Sequence, residues 1–157
     1  MSRRHGFTLL EIMLAIMIAL LLLTLAVPGI ASLFREQDLK KTFDSFDDFV
    51  RTAHSRSVTE HRGFRLIFDE QGVTLEPTEP RESDFDQELD RFQFDEGHVY
   101  TIERPSALMK DPPAEWPFWE SGLCEEAIIN YAGPAGTWKV RYDPLTGRGT
   151  FEDSAVK

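Results

Sequence analysis

Cysteine is almost missing from this chain. Cys124 is the single one in 157 residues, so no disulfide can form within it. Any domain it builds must stand on its hydrophobic core. Positive charge is also short: 17 Lys and Arg face 27 Asp and Glu, a net charge of −10. Such a surface repels nucleic acid and anionic lipid headgroups. The four histidines, His5, His54, His61 and His98, show no metal-ligand spacing. His54 and His61 lie two helical turns apart, too far to share one metal from a helix. No phosphate-binding glycine loop, nucleophile elbow, basic patch, internal repeat or low-complexity tract occurs. These absences argue against an enzyme, a cofactor site and a nucleic-acid partner.

What the chain does have is concentrated at its start. Met1-Ser-Arg-Arg-His-Gly6 is short and basic, and Phe7-Thr-Leu-Leu-Glu11 follows. From Ile12 to Phe34 there is no charged residue. At about 1.5 Å per residue that run spans roughly 35 Å, enough for a bilayer core. A secretory signal peptide has a shorter apolar centre, about 7–15 residues. The run therefore reads as a retained anchor with its basic leader on the cytoplasmic side. Glu11 sits at its entrance, where a carboxylate is costly without a partner and marks a functional site. The amine created by a cut before Phe7 is such a partner.

This arrangement resembles the N-terminus of type IV prepilins and type II secretion pseudopilins. The matching residues are Gly6-Phe7-Thr8-Leu9-Leu10-Glu11, behind Arg3 and Arg4 and ahead of the apolar run. The resemblance implies that a prepilin peptidase cuts after Gly6 and methylates Phe7, and that Glu11 serves assembly. It implies further partners: other pseudopilins and an inner-membrane assembly platform. Loss of Arg3 and Arg4 takes the net charge from −10 to −12. Many major pilins carry a C-terminal disulfide, and this chain departs from that pattern.

Beyond Phe34 the helix continues. Leu39, Phe43, Phe46, Val50, Ala53 and Ser57 recur at helical spacing and form one stripe. Asp44, Ser45, Asp47, Asp48, Arg51 and Thr52 occupy the other faces. One helix from about Phe7 to about Thr59 follows, half in lipid and half on a head. Pro28-Gly29 interrupts it, and a proline there removes a backbone hydrogen bond and kinks or opens the helix. In the resembled family a proline at this place is associated with helix melting during fibre assembly.

The head begins near His61-Arg62-Gly63. Phe64–Phe68 and Val73–Glu76 flank the Asp69–Gly72 turn as a hairpin. Arg91–Phe94 and His98–Ile102 read as a second hairpin. Ala127–Tyr131, Thr137–Tyr142 and Gly149–Phe151 read as a three-stranded meander. Seven strands predict a small antiparallel two-sheet head. The Ala53–Val58 helix end, the Phe64–Phe68 strand and the Thr146-Gly147 turn are similar to H-type minor pseudopilins and FimT-like minor pilins.

Two stretches stand apart. Glu76 to Asp90 carries Glu79, Glu82, Asp84, Asp86 and Glu88 as well, but lacks the glycine and distal glutamate of an EF-hand, so it reads as a solvated acidic loop. Asp111–Gly122 is rich in proline and carries Trp116, Phe118 and Trp119. These aromatics either fold onto the core or anchor a partner.

The expectation is an α+β, pilin-like chain. Residues 1–6 form a leader, 7–34 a transmembrane or fibre-core half-helix, 35–60 an amphipathic half-helix and 61–157 a periplasmic β-rich head. The chain would cross the inner membrane once. The resemblance implies a minor pseudopilin of the type II secretion pseudopilus, helping to drive protein export across the outer membrane. The alternative is a minor type IV pilin for adhesion, motility or DNA uptake.

Overall fold

A computed structural model describes residues 8–84, 89–109 and 113–157, without the side chains of residues 23–32 and 83. The architecture is α+β: one long helix followed by two antiparallel sheets. Helix α1 runs Leu9–Thr59. Thr8 caps it, its Oγ1 accepting the Glu11 N–H at 3.3 Å. The negative charge of Glu11 in the first turn also suits the helix dipole. At the other end Arg62 N–H bonds the Ser57 carbonyl at 3.2 Å, closing the last turn. His61 takes the left-handed conformation there, φ 48°, at the place where glycine usually ends a helix.

The second half of α1 packs as its periodicity predicts. Leu39, Phe46, Val50, Ala53 and Ser57 are buried, and Phe43 packs on the same core. The Ser57 hydroxyl is satisfied by the His54 carbonyl at 2.8 Å. Phe46 is the centre of an aromatic cluster, within 5.4 Å of Phe92 and 5.2 Å of Tyr100, ring to ring. Full burial of such a side chain contributes roughly 1.5–3 kcal/mol.

Strands β1 (Phe64–Phe68), β2 (Gly72–Pro77), β3 (Arg91–Gln93), β4 (Val99–Glu103), β5 (Glu115–Phe118), β6 (Ala127–Ala132), β7 (Gly136–Tyr142) and β8 (Gly149–Val156) build the head. One sheet has the order β3-β2-β1-β5 and the other β4-β6-β7-β8. The first hairpin and the meander match the sequence expectation.

Three expectations need correction. β3 and β4 do not form a hairpin: β3 pairs with β2, and β4 pairs with β6. The turn at Asp95–Gly97 carries the chain from one sheet to the other. The reason lies in the core, where Phe92 of β3 and Tyr100 of β4 both converge on Phe46 from different sheets. The Asp111–Gly122 stretch contains an eighth strand, β5, pairing with β1 through Phe64↔Phe118 and Leu66↔Trp116. Pro117 is tolerated because β5 is an edge strand, where one ladder donor can be missing. Finally, β8 continues to Val156 rather than stopping at Phe151. Its residues are almost all exposed, so no alternation of apolar and polar residues announces it.

Candidate functional site

The first turns of α1 present a carboxylate among uncovered apolar side chains. Leu9, Leu10, Ile12, Met13, Leu14, Ile16, Met17 and Ile18 are all exposed, Leu10 to 78%. Glu11 stands among them, and its carboxylate enters no ion pair among the described residues. An exposed apolar surface of this length is unstable in water and requires lipid or other helices against it. Gly6 and Phe7 lie outside the described residues. α1 is assigned as continuous helix through Pro28, whose side chain is also outside them. Among the described residues no helix is long and apolar enough to cross a membrane. The apolar run includes residues 23–32, whose side chains are not described.

At the far end of α1 a charged network ties the acidic loop to the helix. Arg56 bridges Glu60 and Asp90, each at 2.7 Å. Arg62 holds Asp84 in a bidentate pair at 2.7 and 3.1 Å and also reaches Glu60. Both guanidinium groups lie over the Phe64 ring, at 4.8 and 4.9 Å. The Arg62 fork, helped by the Arg81 N–H, lowers the Asp84 carboxyl from 3.8 to about 2. A carboxylate held below its unfolded value contributes stability above that value and loses it as pH falls through the folded one. The Arg62–Asp84 contact should therefore persist at pH 4 and be lost only as pH falls through about 2. NMR of the Arg62 side-chain N–H groups across an acid titration tests this, and loss of the contact already at pH 4 would contradict it.

The aromatic stretch splits. Trp116 and Phe118 are 0% and 1% exposed and belong to the core. As alternating residues of β5 they face the core, Trp116 lying 4.9 Å from Phe118 and 5.0 Å from Tyr142. Trp116 Nε1 donates to the Glu125 carbonyl at 2.7 Å. Neither residue can anchor a partner, which corrects that expectation for them. Trp119 lies beyond the strand in the following turn, 47% exposed, and stays available.

Cys124 is 2% exposed and bonds weakly to the Asp143 carbonyl, Sγ to O 3.7 Å. Burial pushes its thiol up to about 11. It behaves as a small apolar residue. A maleimide at pH 7.5 should leave it untouched in the folded chain and label it in denaturant. Rapid native labelling, read by mass, would refute that. His54 reaches the Gly122 carbonyl through Nε2 at 2.8 Å, a tie between α1 and the Trp119–Leu123 turn. Among the described residues no group of three His, Cys, Asp or Glu side chains is placed to hold a metal.

Sequence reasoning missed one feature, a cleft between α1 and the ends of both sheets, about 570 Å³ in volume. Its walls come from residues 35–45, 92–100 and 131–135, too far apart in sequence to form a motif. Two hydrogen bonds involve its lining: the Tyr131 hydroxyl meets His98 Nδ1 at 3.1 Å, and Thr42 Oγ1 accepts from Trp138 Nε1 at 3.1 Å.

Comparison with known proteins bears on the N-terminus first. Residues 1–27 match the family model described as the prokaryotic N-terminal methylation motif. No curated protein matches the chain. Among solved structures, the chain is similar to the minor pseudopilin EpsH from the type 2 secretion system of Vibrio cholerae. The TM-score is 0.48 and the identity 15%, over 74% of this chain and 95% of that one. The chain thus carries a prepilin-type methylation motif at the head of a long helix followed by antiparallel sheets.

Proposed function

We propose that this chain is a minor pseudopilin of a type II secretion pseudopilus, of the H-type, helping to move folded proteins across the outer membrane. The observation that carries the reading is the methylation motif at residues 1–27, joined to a 51-residue helix. The described side chains of that helix's first half are uncovered and, Glu11 apart, apolar, and its second half is the spine of the head.

On this reading a prepilin peptidase cuts between Gly6 and Phe7 and methylates Phe7. The apolar half of α1 sits in the inner membrane before assembly and in the fibre core after it. The head lies in the periplasm. Pro28 lets the helix open during that transfer, since it leaves one carbonyl without its helical donor. Trp119 offers a contact to a neighbouring pseudopilin. The role is structural rather than catalytic. A minor pilin that takes up DNA needs a basic stripe on its head, whereas this chain carries ten more acidic than basic residues.

The deciding experiment is the mass of the N-terminal peptide after expression with and without a prepilin peptidase. The expected result is loss of Met1–Gly6 and gain of one methyl on Phe7, only with the peptidase. An intact leader, or cleavage after Ala26 or Ala31, would overturn the reading.

A further inference from the structure

The cleft beside α1 carries charges of both signs that the fold leaves unused. Asp38 and Asp95 are exposed on its walls and enter no ion pair among the described residues. Lys41 is exposed on the same wall and likewise unpaired. Arg35 gives one N–H to the Lys157 carbonyl and keeps its other donors. Tyr100 and Tyr131, almost wholly buried, also line it, their rings 4.9 Å apart. A purely anionic ligand would meet two carboxylates, and a purely cationic one would meet Arg35 and Lys41. The lining fits a ligand that carries both charges.

The position of the cleft narrows the choice. Arg35 is the first charged residue after the apolar run, directly following Phe34. At about 1.5 Å per residue, Arg35, Asp38 and Lys41 lie roughly 1.5, 6 and 10 Å beyond the run. The polar layer of a bilayer is about 5–7 Å thick on each side of the hydrocarbon. The cleft therefore begins at headgroup depth if the run lies in a bilayer, which is the reading proposed above.

We propose that this cleft binds the phosphoethanolamine headgroup of a membrane phospholipid. The phosphate sits by Arg35, the charged lining residue nearest the apolar run. The ammonium sits by Asp38 and Asp95. A head with an excess of acid disfavours anionic lipid generally, so a zwitterionic headgroup is also the one its field tolerates. The contact would hold the head against the membrane before the subunit leaves it.

The test uses the full-length chain in bilayers of equal phosphatidylethanolamine and phosphatidylglycerol, extracted for native mass spectrometry. Retained phosphatidylethanolamine should exceed phosphatidylglycerol by about fivefold, the scale of one partly screened charge pair. The Asp38→Asn/Asp95→Asn double variant should lose that preference. Both carboxylates are exposed, so near-ultraviolet circular dichroism should report an unchanged head. Equal retention of the two lipids, or an unchanged preference in the variant, overturns the proposal. Saturable binding of soluble phosphoethanolamine without lipid enrichment overturns the lipid as its source. Vesicle flotation separates the two failures. A chain that floats without preference defeats only the cleft, and a chain that does not float defeats the membrane reading beneath it.

Discussion

Glu11→Ala is expected to be cut and methylated normally and yet to enter a fibre at least about a hundredfold less than the parent chain. The carboxylate lies in the first turn of α1 among exposed Leu9, Leu10, Ile12 and Met13. Once those side chains are buried against other helices, the charge is buried with them. Its proposed partner is the new amine of Phe7 on a neighbouring subunit. Removing one member of a buried pair costs roughly 3–5 kcal/mol, because the other is left charged and desolvated. At about 1.4 kcal/mol per tenfold, that is two orders of magnitude or more. Cleavage should be spared because the proposed scissile bond, between Gly6 and Phe7, lies four residues earlier in the sequence. The measurement is the ratio of processed to fibre-incorporated subunit, by immunoblot of sheared fibres. Normal incorporation of the variant would sink the charge pairing. Glu11→Gln should be nearly as defective, since it keeps the shape and loses the charge.

Trp116→Ala is expected to unfold the head or nearly so. The ring is fully buried between Phe118 and Tyr142, and its indole N–H is held by the Glu125 carbonyl. Truncating a buried aromatic costs about 3–5 kcal/mol, out of the 5–15 kcal/mol that holds a typical domain together. The Glu125 carbonyl also loses its donor. For a head of this size the melting temperature should fall by more than about 10 °C. Trp119→Ala, only a few residues away, should change stability by less than about 0.5 kcal/mol, as exposed positions do. Thermal melts of the two variants in detergent micelles, followed by near-ultraviolet circular dichroism, make the comparison. Similar melting temperatures for both would contradict the division between core and surface drawn here. A drop in fibre incorporation for Trp119→Ala, with stability intact, is what its proposed role as a partner contact requires.

These two results rest on different kinds of information. Glu11 stands out in the sequence because its signal is local. A single carboxylate at the mouth of a 23-residue uncharged run needs no tertiary structure to stand out. The buried stripe from Leu39 to Ser57 was legible for the same reason, since helical periodicity ties the face of each residue to its neighbours. Trp116 and Trp119 were not separable that way. They are three residues apart in a stretch whose prolines hide its strand character, and one is core while the other is surface. Only the pairing of Leu66 with Trp116 and Phe64 with Phe118 decides which side each presents. The apparent hairpin of Arg91–Phe94 and His98–Ile102 failed similarly. A short turn between two apolar strands usually reverses the chain within one sheet, but here it crosses between two.

By itself the sequence determined the long helix, its uncovered apolar half, its packed half, the methylation motif and the α+β class. Each follows from periodicity, charge or spacing within a few turns of chain. Tertiary structure decided which strands share a sheet, which aromatics are buried, and that Arg35, Asp38, Asp95 and Tyr131 line one cleft. Those depend on contacts between residues up to about a hundred positions apart, whose pairing is chosen by how the Phe46 cluster packs rather than by any local preference.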